Sequence, residues 1–193
     1  MPKEKSNQIK ITILPVTPDR WKDVERLFGE RGACAGCWCM VWRLSSKEWN
    51  AGKGDKNKRA FRKIIISGEV PGLLAYHGSE PIGWCSVAPR EKFLYLQKSK
   101  SFQPIDDKPS WSVTCLFIDK RFRRQGVGVA LLKAAAKFAK ENGAKVVEGY
   151  PSVTEKKLPD PWVWTGVLPA YVHAGYKVVK RPSKSRAVVR KSL

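Results

Sequence analysis

The chain lacks any apolar run approaching the roughly 18 residues that a membrane-crossing helix requires. It contains neither an internal repeat nor a long low-complexity tract. A bilayer-spanning or repeat architecture is therefore not expected. No apolar core follows the charged opening Met1-Pro2-Lys3-Glu4-Lys5-Ser6, so a secretory signal is not expected and a cytoplasmic location is. Cysteine is scarce and odd in number: of 5 residues, Cys34, Cys37 and Cys39 are crowded together, unlike the even, spaced set of a secreted disulfide framework. Acidic residues are scarce too, 17 against 37 Lys and Arg, which leaves a formal charge of +20. Such a field draws anionic ligands and concentrates nucleic acid nearby. The excess nevertheless runs from Lys3 to Lys191, with only a modest thickening at Lys177, Lys180, Arg181, Lys184, Arg186, Arg190 and Lys191, and no standard nucleic-acid motif accompanies it. A solvated basic face is the plainer reading.

At 193 residues the chain can bury a sizeable core without a disulfide or a metal. Ile9 to Leu14 alternates as an edge-type strand. Pro18-Asp19 opens a helix that runs to about Phe28, where Gly29 can end it. Lys56 to Ser67 reads as a second helix closed by Gly68. The apolar runs Gly72 to His77 and Pro81 to Val87, joined by Gly78-Ser79-Glu80, read as a hairpin. Ser112 to Ile118 reads as a central strand, Val129 to Lys140 as a helix stopped at Asn142-Gly143, and Lys145 to Tyr150 as another strand. Val167 to His173 forms a short helix ending at Gly175, and the apolar spacing from Tyr176 and at Ala187-Val188-Val189 closes the fold with an antiparallel pair. The polar, proline-rich Pro151 to Pro161 reads as a surface loop, and residues 1–8 as a short disordered N-terminus to a single domain.

The most informative stretch runs from Val113 to Leu132: a buried strand, a basic turn and a glycine-opened helix. Arg123-Arg124-Gln125-Gly126-Val127-Gly128 at a helix start exposes unpaired backbone N–H groups beside guanidinium groups and the positive end of a helix dipole. That arrangement is a pyrophosphate cradle. Two competing phosphate motifs are missing: there is no Gly-x-x-x-x-Gly-Lys-Ser/Thr, and Gly126 to Gly128 lacks the third glycine of a dinucleotide fingerprint.

The run from Arg123 to Gly128 resembles the acetyl-CoA signature of the GNAT superfamily of N-acetyltransferases, and the order of elements follows that resemblance along nearly the whole chain. The resemblance implies an α/β fold, a mixed and mostly antiparallel sheet splayed open where acetyl-CoA enters and flanked by helices. It implies that Arg123, Arg124, Gln125, Gly126, Val127, Gly128 and Val129 hold the cofactor phosphates. The main chain of Leu116, Phe117 and Ile118 would bind the pantetheine arm and polarise the thioester. Moving acetyl to an amine also requires a proton donor for the departing thiolate and a proton acceptor for the amine. Tyr171, in Ala170-Tyr171-Val172-His173-Ala174-Gly175-Tyr176, matches the family spacing for the donor. No acidic residue stands on Ser112 to Ile118, where many relatives place a Glu, so Glu148 on the next strand ranks first as the acceptor, ahead of His173 and beside a water chain to bulk.

Cys34, Cys37 and Cys39 invite a zinc reading, because Cys-x-x-Cys is ligand spacing, but a structural zinc needs four ligands and no second Cys-x-x-Cys or His-x-x-x-His follows. No metal is expected; a redox or nucleophilic cysteine remains a second reading. The preferred reading is architectural. The Cys37-Trp38-Cys39-Met40 run, with Gly83-Trp84-Cys85 and Glu148-Gly149-Tyr150-Pro151, resembles a bacterial subgroup of GNAT proteins. In such proteins this connection builds the acceptor side of the cleft, and Trp38, Trp42, Trp84 and Trp111 could wall an apolar or cation-binding pocket. The expected activity is acetyl transfer from acetyl-CoA to a primary amine by direct attack in a ternary complex. A small-molecule amine is the expected partner and a protein amine the alternative. A homodimer is compatible with the resemblance; a membrane or a nucleic acid is not expected. An acyl-CoA-binding sensor with little catalysis and a basic RNA- or ribosome-associated protein are the rival readings.

Overall fold

The computed structural model describes residues 9–154 and 162–193. The expected disordered segment 1–8, and residues 155–161 of the proline-rich loop, lie outside the described residues. The elements are β1 (Thr12–Pro15), α1 (Trp21–Phe28), α2 (Ser46–Ala51), α3 (Asp55–Ile66), β2 (Gly72–His77), β3 (Glu80–Pro89), α4 (Leu94–Lys98), β4 (Ser110–Ile118), α5 (Val127–Glu141), β5 (Val146–Gly149), α6 (Leu168–His173), β6 (Lys177–Ser183) and β7 (Arg186–Ser192). They build one seven-stranded sheet in the order β1-β2-β3-β4-β5-β7-β6, antiparallel at every step except β4 against β5. This is the mixed, mostly antiparallel α/β architecture read from the sequence.

The parallel step requires a crossover, which α5 supplies. Its buried residues Val127, Leu131, Leu132, Ala135, Ala136 and Ala139 recur at helical spacing and lie on the core shared with β2, β3 and β4. The opposite face of the sheet carries α1 and α3, whose Trp21, Val24, Phe28, Phe61 and Ile65 close over Trp38 and Trp84. Burying rings of this size contributes on the order of 25 cal/mol per Å² of apolar surface. Gly29 ends α1 with φ of +61°.

The sheet splays at its centre. Strand β5 pairs with β4 only from Ser110↔Val146 to Val113↔Gly149, while β4 continues to Ile118. Beyond Val113 the edge of β4 that would face β5 is open, and the Leu116 N–H donates instead to the Trp164 carbonyl at 2.7 Å.

Four differences from the sequence reading have plain causes. β1 begins at Thr12 rather than Ile9, because Ile9 and Ile11 pack on the α5-side core without a strand partner. α2 is capped by Ser45, whose hydroxyl accepts from the Glu48 amide while the Glu48 carboxylate accepts from the Ser45 amide; this capping box is present in the sequence but precedes too short an apolar pattern to be read as a helix. The five-residue α4 carries no periodic signal at all. The loop expected from Pro151 is not all surface: Pro151 and Ser152 are buried, with Ser152 bridged to Val167 and Arg186. The basic thickening near the C-terminus also divides. Lys177, Lys180, Arg181 and Lys184 are exposed, whereas Arg186 donates to the Tyr150 carbonyl and to the Ser152 and Thr165 hydroxyls, and Arg190 pairs with Glu148 and Asp106.

Candidate active site

At the end of β4, Asp119 accepts from the Arg121 amide and turns the chain through one short helical turn, Lys120–Phe122. The Arg121 guanidinium is held by Asp119 at 2.8 Å and Glu80 at 2.6 Å, so it is committed to the turn. Arg124 and Gly126 then adopt left-handed backbone, with φ of +60° and +82°, and α5 begins at Val127. Gly126 pays no Cβ penalty for that conformation. The first α-type bond of the helix runs from the Ala130 N–H to the Gly126 carbonyl, which leaves the amides of Val127, Gly128 and Val129 without an intrahelical partner. No acidic side chain stands in the first turn to neutralise them. Arg124, Gln125 and Gly126 are exposed beside this end. Arg123 reaches back so that its Nε donates to the Ile118 carbonyl at 2.9 Å, which ties the turn to the strand.

Between this helix start and the splayed part of β4 lies a cavity of about 270 Å³, walled by Leu116, Phe117, Ile118, Arg123, Gly128 and Trp164 among others. The Asp119 N–H donates to the Ile82 carbonyl, so the alternation of antiparallel pairing turns the amides of Ile118 and Leu116 away from β3 and toward this opening. The Leu116 amide is engaged there by Trp164, a contact that no local sequence pattern announces. A second cavity of about 230 Å³ shares Ala33, Cys34, Leu116, Phe117 and Trp164 with the first. Its remaining wall includes Cys37, Cys39, Cys115 and Trp49. The two form adjoining chambers on either side of β4.

The tryptophans expected to wall the pocket do not. Trp38, Trp42 and Trp84 are buried in the core, and Trp111 packs edge-on against Phe138 at 5.7 Å. Trp49 on α2 and Trp164 take that place. The Trp49 indole N–H is buried without a hydrogen-bond partner among the described residues. The Ser45 to Glu48 capping box was the sequence signal that could have placed Trp49; Trp164 had none.

Tyr171 is fully buried, its hydroxyl donating to the Thr165 carbonyl at 3.0 Å, and burial holds its pKa well above the ordinary phenol value. The ring fits a slot between two glycines: a Cβ on Gly149 would come within 2.1 Å of it, and one on Gly166 within 2.9 Å. We expect Gly149→Ala to destabilise the fold by about 2–3 kcal/mol through overpacking. In a Tyr171→Ala background the same change should cost almost nothing, a coupling of about 2 kcal/mol readable by denaturant titration of the four proteins. Additive effects would mean the ring is not what Gly149 accommodates.

Glu148, the expected proton acceptor, sits in a buried polar network. Its carboxylate is buried, accepts from the Tyr150 hydroxyl at 2.8 Å and from Arg190 Nε at 2.7 Å, and has Arg90 Nε at 3.7 Å. Ser112 stands behind Tyr150, 3.0 Å from its hydroxyl. Glu148, like Tyr171, is not among the described residues lining either chamber, and its carboxylate is committed to these partners. His173 is exposed at the end of α6, on an outer depression with Gln125, Gly126, Val129 and Lys133. Among the described residues, no three His, Cys, Asp or Glu side chains are grouped to hold a metal ion.

Residues 38–153 match the family model described as the acetyltransferase (GNAT) family. No curated protein sequence matches the chain significantly. Solved structures resemble it throughout. PaiA N-acetyltransferase from Thermoplasma acidophilum, crystallised with coenzyme A, is 15% identical with a TM-score of 0.55, covering 96% of this chain and 100% of its own. A mosquito arylalkylamine N-acetyltransferase-like protein is 13% identical with a TM-score of 0.60, covering 95% of this chain and 100% of its own. The polyamine N-acetyltransferase of Drosophila melanogaster is 11% identical with a TM-score of 0.56, again covering 95% and 100%. At these identities the likeness is one of fold.

Proposed function

The chain belongs to the GNAT family of acetyltransferases, and from that premise we propose that it moves acetyl from acetyl-CoA to a primary amine by direct attack, with both substrates bound at once. The observation that carries the reading is the pair of adjoining chambers, one reaching from the unpartnered amides at the start of α5 to the open edge of β4, the other opening from that edge toward α2. Cofactor and acceptor would approach the same few residues of β4 from its two sides. The amides of Val127, Gly128 and Val129, with Arg124 and Gln125 exposed nearby, would take the pyrophosphate, where an anion gains from both hydrogen bonds and the helix dipole. Coenzyme A in the Thermoplasma relative supports a CoA thioester as the donor.

The open edge of β4 would carry the pantetheine arm. The Ile118 amide, turned toward the chamber, would polarise the thioester carbonyl, the kind of fixed backbone donor that stabilises a developing oxyanion best. Leu116 would share this task only once its amide leaves the Trp164 carbonyl. Tyr171 would protonate the departing thiolate. Its raised pKa keeps the phenol protonated at neutral pH, and its hydroxyl rests on the Thr165 carbonyl next to Gly166, a residue of the chamber wall. Tyr171→Phe keeps the packing of the ring, so kcat should fall about 100-fold while the KM for acetyl-CoA stays as it was. Unchanged turnover would remove the donor role. The acceptor chamber is walled mainly by apolar side chains and sulfur, and a small-molecule amine suits its size better than a protein side chain with attached backbone. The whole reading is tested by release of CoA from acetyl-CoA when amines are added: release that depends on the amine supports it, and tight acetyl-CoA binding with no amine-dependent release would favour a sensor.

A further inference from the structure

Among the described residues, neither chamber is lined by a carboxylate or a histidine, although an amine that enters as an ammonium ion must lose a proton before it can attack. Sulfur stands in the acceptor chamber instead: Cys34, Cys37, Cys39 and Cys115. Cys115, on β4, and Cys39, on the connection between α1 and α2, pack in the same cluster and line the same chamber. Cys39 is unlike the others. Trp84 Nε1 donates to its sulfur at 3.2 Å, and the buried Arg43 guanidinium lies nearby. Trp38 and Cys39 reach this position through left-handed backbone, with φ of +46° and +58°, a conformation that costs non-glycine residues energy and persists only where the surroundings impose it.

Resting on the acetyltransferase reading above, we propose that the Cys39 sulfur, held by the Trp84 indole N–H and standing beside Cys115 in the chamber wall, takes the proton from the acceptor amine. The thiolate of Cys39 accepts one proton from the ammonium group, giving the free amine and a neutral thiol. The amine nitrogen bonds to the thioester carbonyl carbon and the carbon–sulfur bond of CoA breaks. The nitrogen then gives up its second proton, which reaches the departing CoA sulfur by way of Tyr171, and Cys39 returns its own to solvent when products leave. No oxidant or further reactant is consumed.

The groups around Cys39 set the direction of its titration. Hydrogen bonds from Cys115, then Trp84, together with the Arg43 charge, outweigh burial and hold Cys39 below an ordinary thiol. Arg43 is itself paired with Glu69, which also holds Lys92. Cys115, on the other side of the shared hydrogen bond, is held high, and burial pushes up Cys37 and Cys85. The first proton to leave this group therefore leaves Cys39, and the rate should rise with pH as it does.

The experiment combines two readouts on the intact protein. Ultraviolet thiolate absorbance is followed through a pH titration of the wild type and Cys39→Ser, and CoA release from acetyl-CoA is followed chromatographically with the amine pool of a cell extract as acceptor. The proposal expects a thiolate step in the difference spectrum that coincides with the acid limb of the rate. Cys39→Ser should lose the step and about 100-fold in rate, and Cys115→Ala should move step and limb together to higher pH. Should Cys39→Ser not fold, the matched shift in Cys115→Ala decides alone. CoA release with no low thiolate step, or a rate and limb unchanged in the Cys39 variant, overturns the proposal and leaves the acetyltransferase reading standing. A thiolate step with no CoA release from the wild type overturns the acetyltransferase reading, and the base with it.

Discussion

Replacing Glu148 by alanine should lower the free energy of unfolding by about 3–5 kcal/mol, the cost of leaving buried positive charge without its partner. The carboxylate sits between Arg190 and Arg90, which reach it from distant parts of the chain, with Tyr150, two residues on, donating to it. Arg190 keeps Asp106 at 2.6 Å, and Arg90 keeps the carbonyls of Leu96 and Phe102. Those contacts favour the lower end of the range. Denaturant titration measures the loss, and a change under about 0.5 kcal/mol, the size of an ordinary surface substitution, would contradict the role. Glu148→Gln separates this part from catalysis. If Glu148 were the proton acceptor, that variant would stay folded and lose most of its turnover. As the anion of a buried network, it loses stability, and its activity follows the folded fraction.

The second large effect is expected at the helix start. Gly128→Asp places a carboxylate on the wall of the first chamber, beside the amides that would hold the cofactor phosphates. A Cβ at this position meets only the end of the Ile118 side chain, at 3.4 Å, so the fold can accept the change. The added charge competes for the donors and repels phosphate, and losing charge-assisted hydrogen bonds of about 1.5–3 kcal/mol weakens acetyl-CoA binding roughly 10- to 100-fold. Calorimetric titration with acetyl-CoA reads the loss. Affinity unchanged within twofold, or about that, would remove the helix start from the cofactor site, since even one such bond exceeds that margin.

Much of this arrangement was legible because it is local. The strand read at Ser112 to Ile118, the glycine-bearing turn from Arg123 to Gly128 and the helix read from Val129 declare themselves within one stretch of chain, although the structure starts the helix at Val127 and adds left-handed backbone at Arg124. The splay was expected from the family resemblance, and the register of β4 against β5 bears it out. What was not legible depends on contacts between distant segments. Trp164 reaching the Leu116 amide, Glu148 meeting two arginines, and Cys39 meeting Cys115 and Trp84 are products of packing. An aromatic residue in the sequence announces burial but not which cavity it faces, so it left open that Trp38, Trp42, Trp84 and Trp111 could wall a pocket, where Trp49 and Trp164 stand instead. Likewise an acidic residue on a strand among apolar neighbours looks the same whether it waits for a proton or neutralises an arginine.

The most direct test of the account is transfer of isotope-labelled acetyl from acetyl-CoA into a cell extract, with small molecules and macromolecules separated and read by mass spectrometry. Labelled acetyl on an amine in the small-molecule fraction is the expected result, and its mass identifies the acceptor. Acetyl-CoA that binds the protein while no fraction gains label would contradict the central claim and make the chain a binder of the cofactor rather than a transferase.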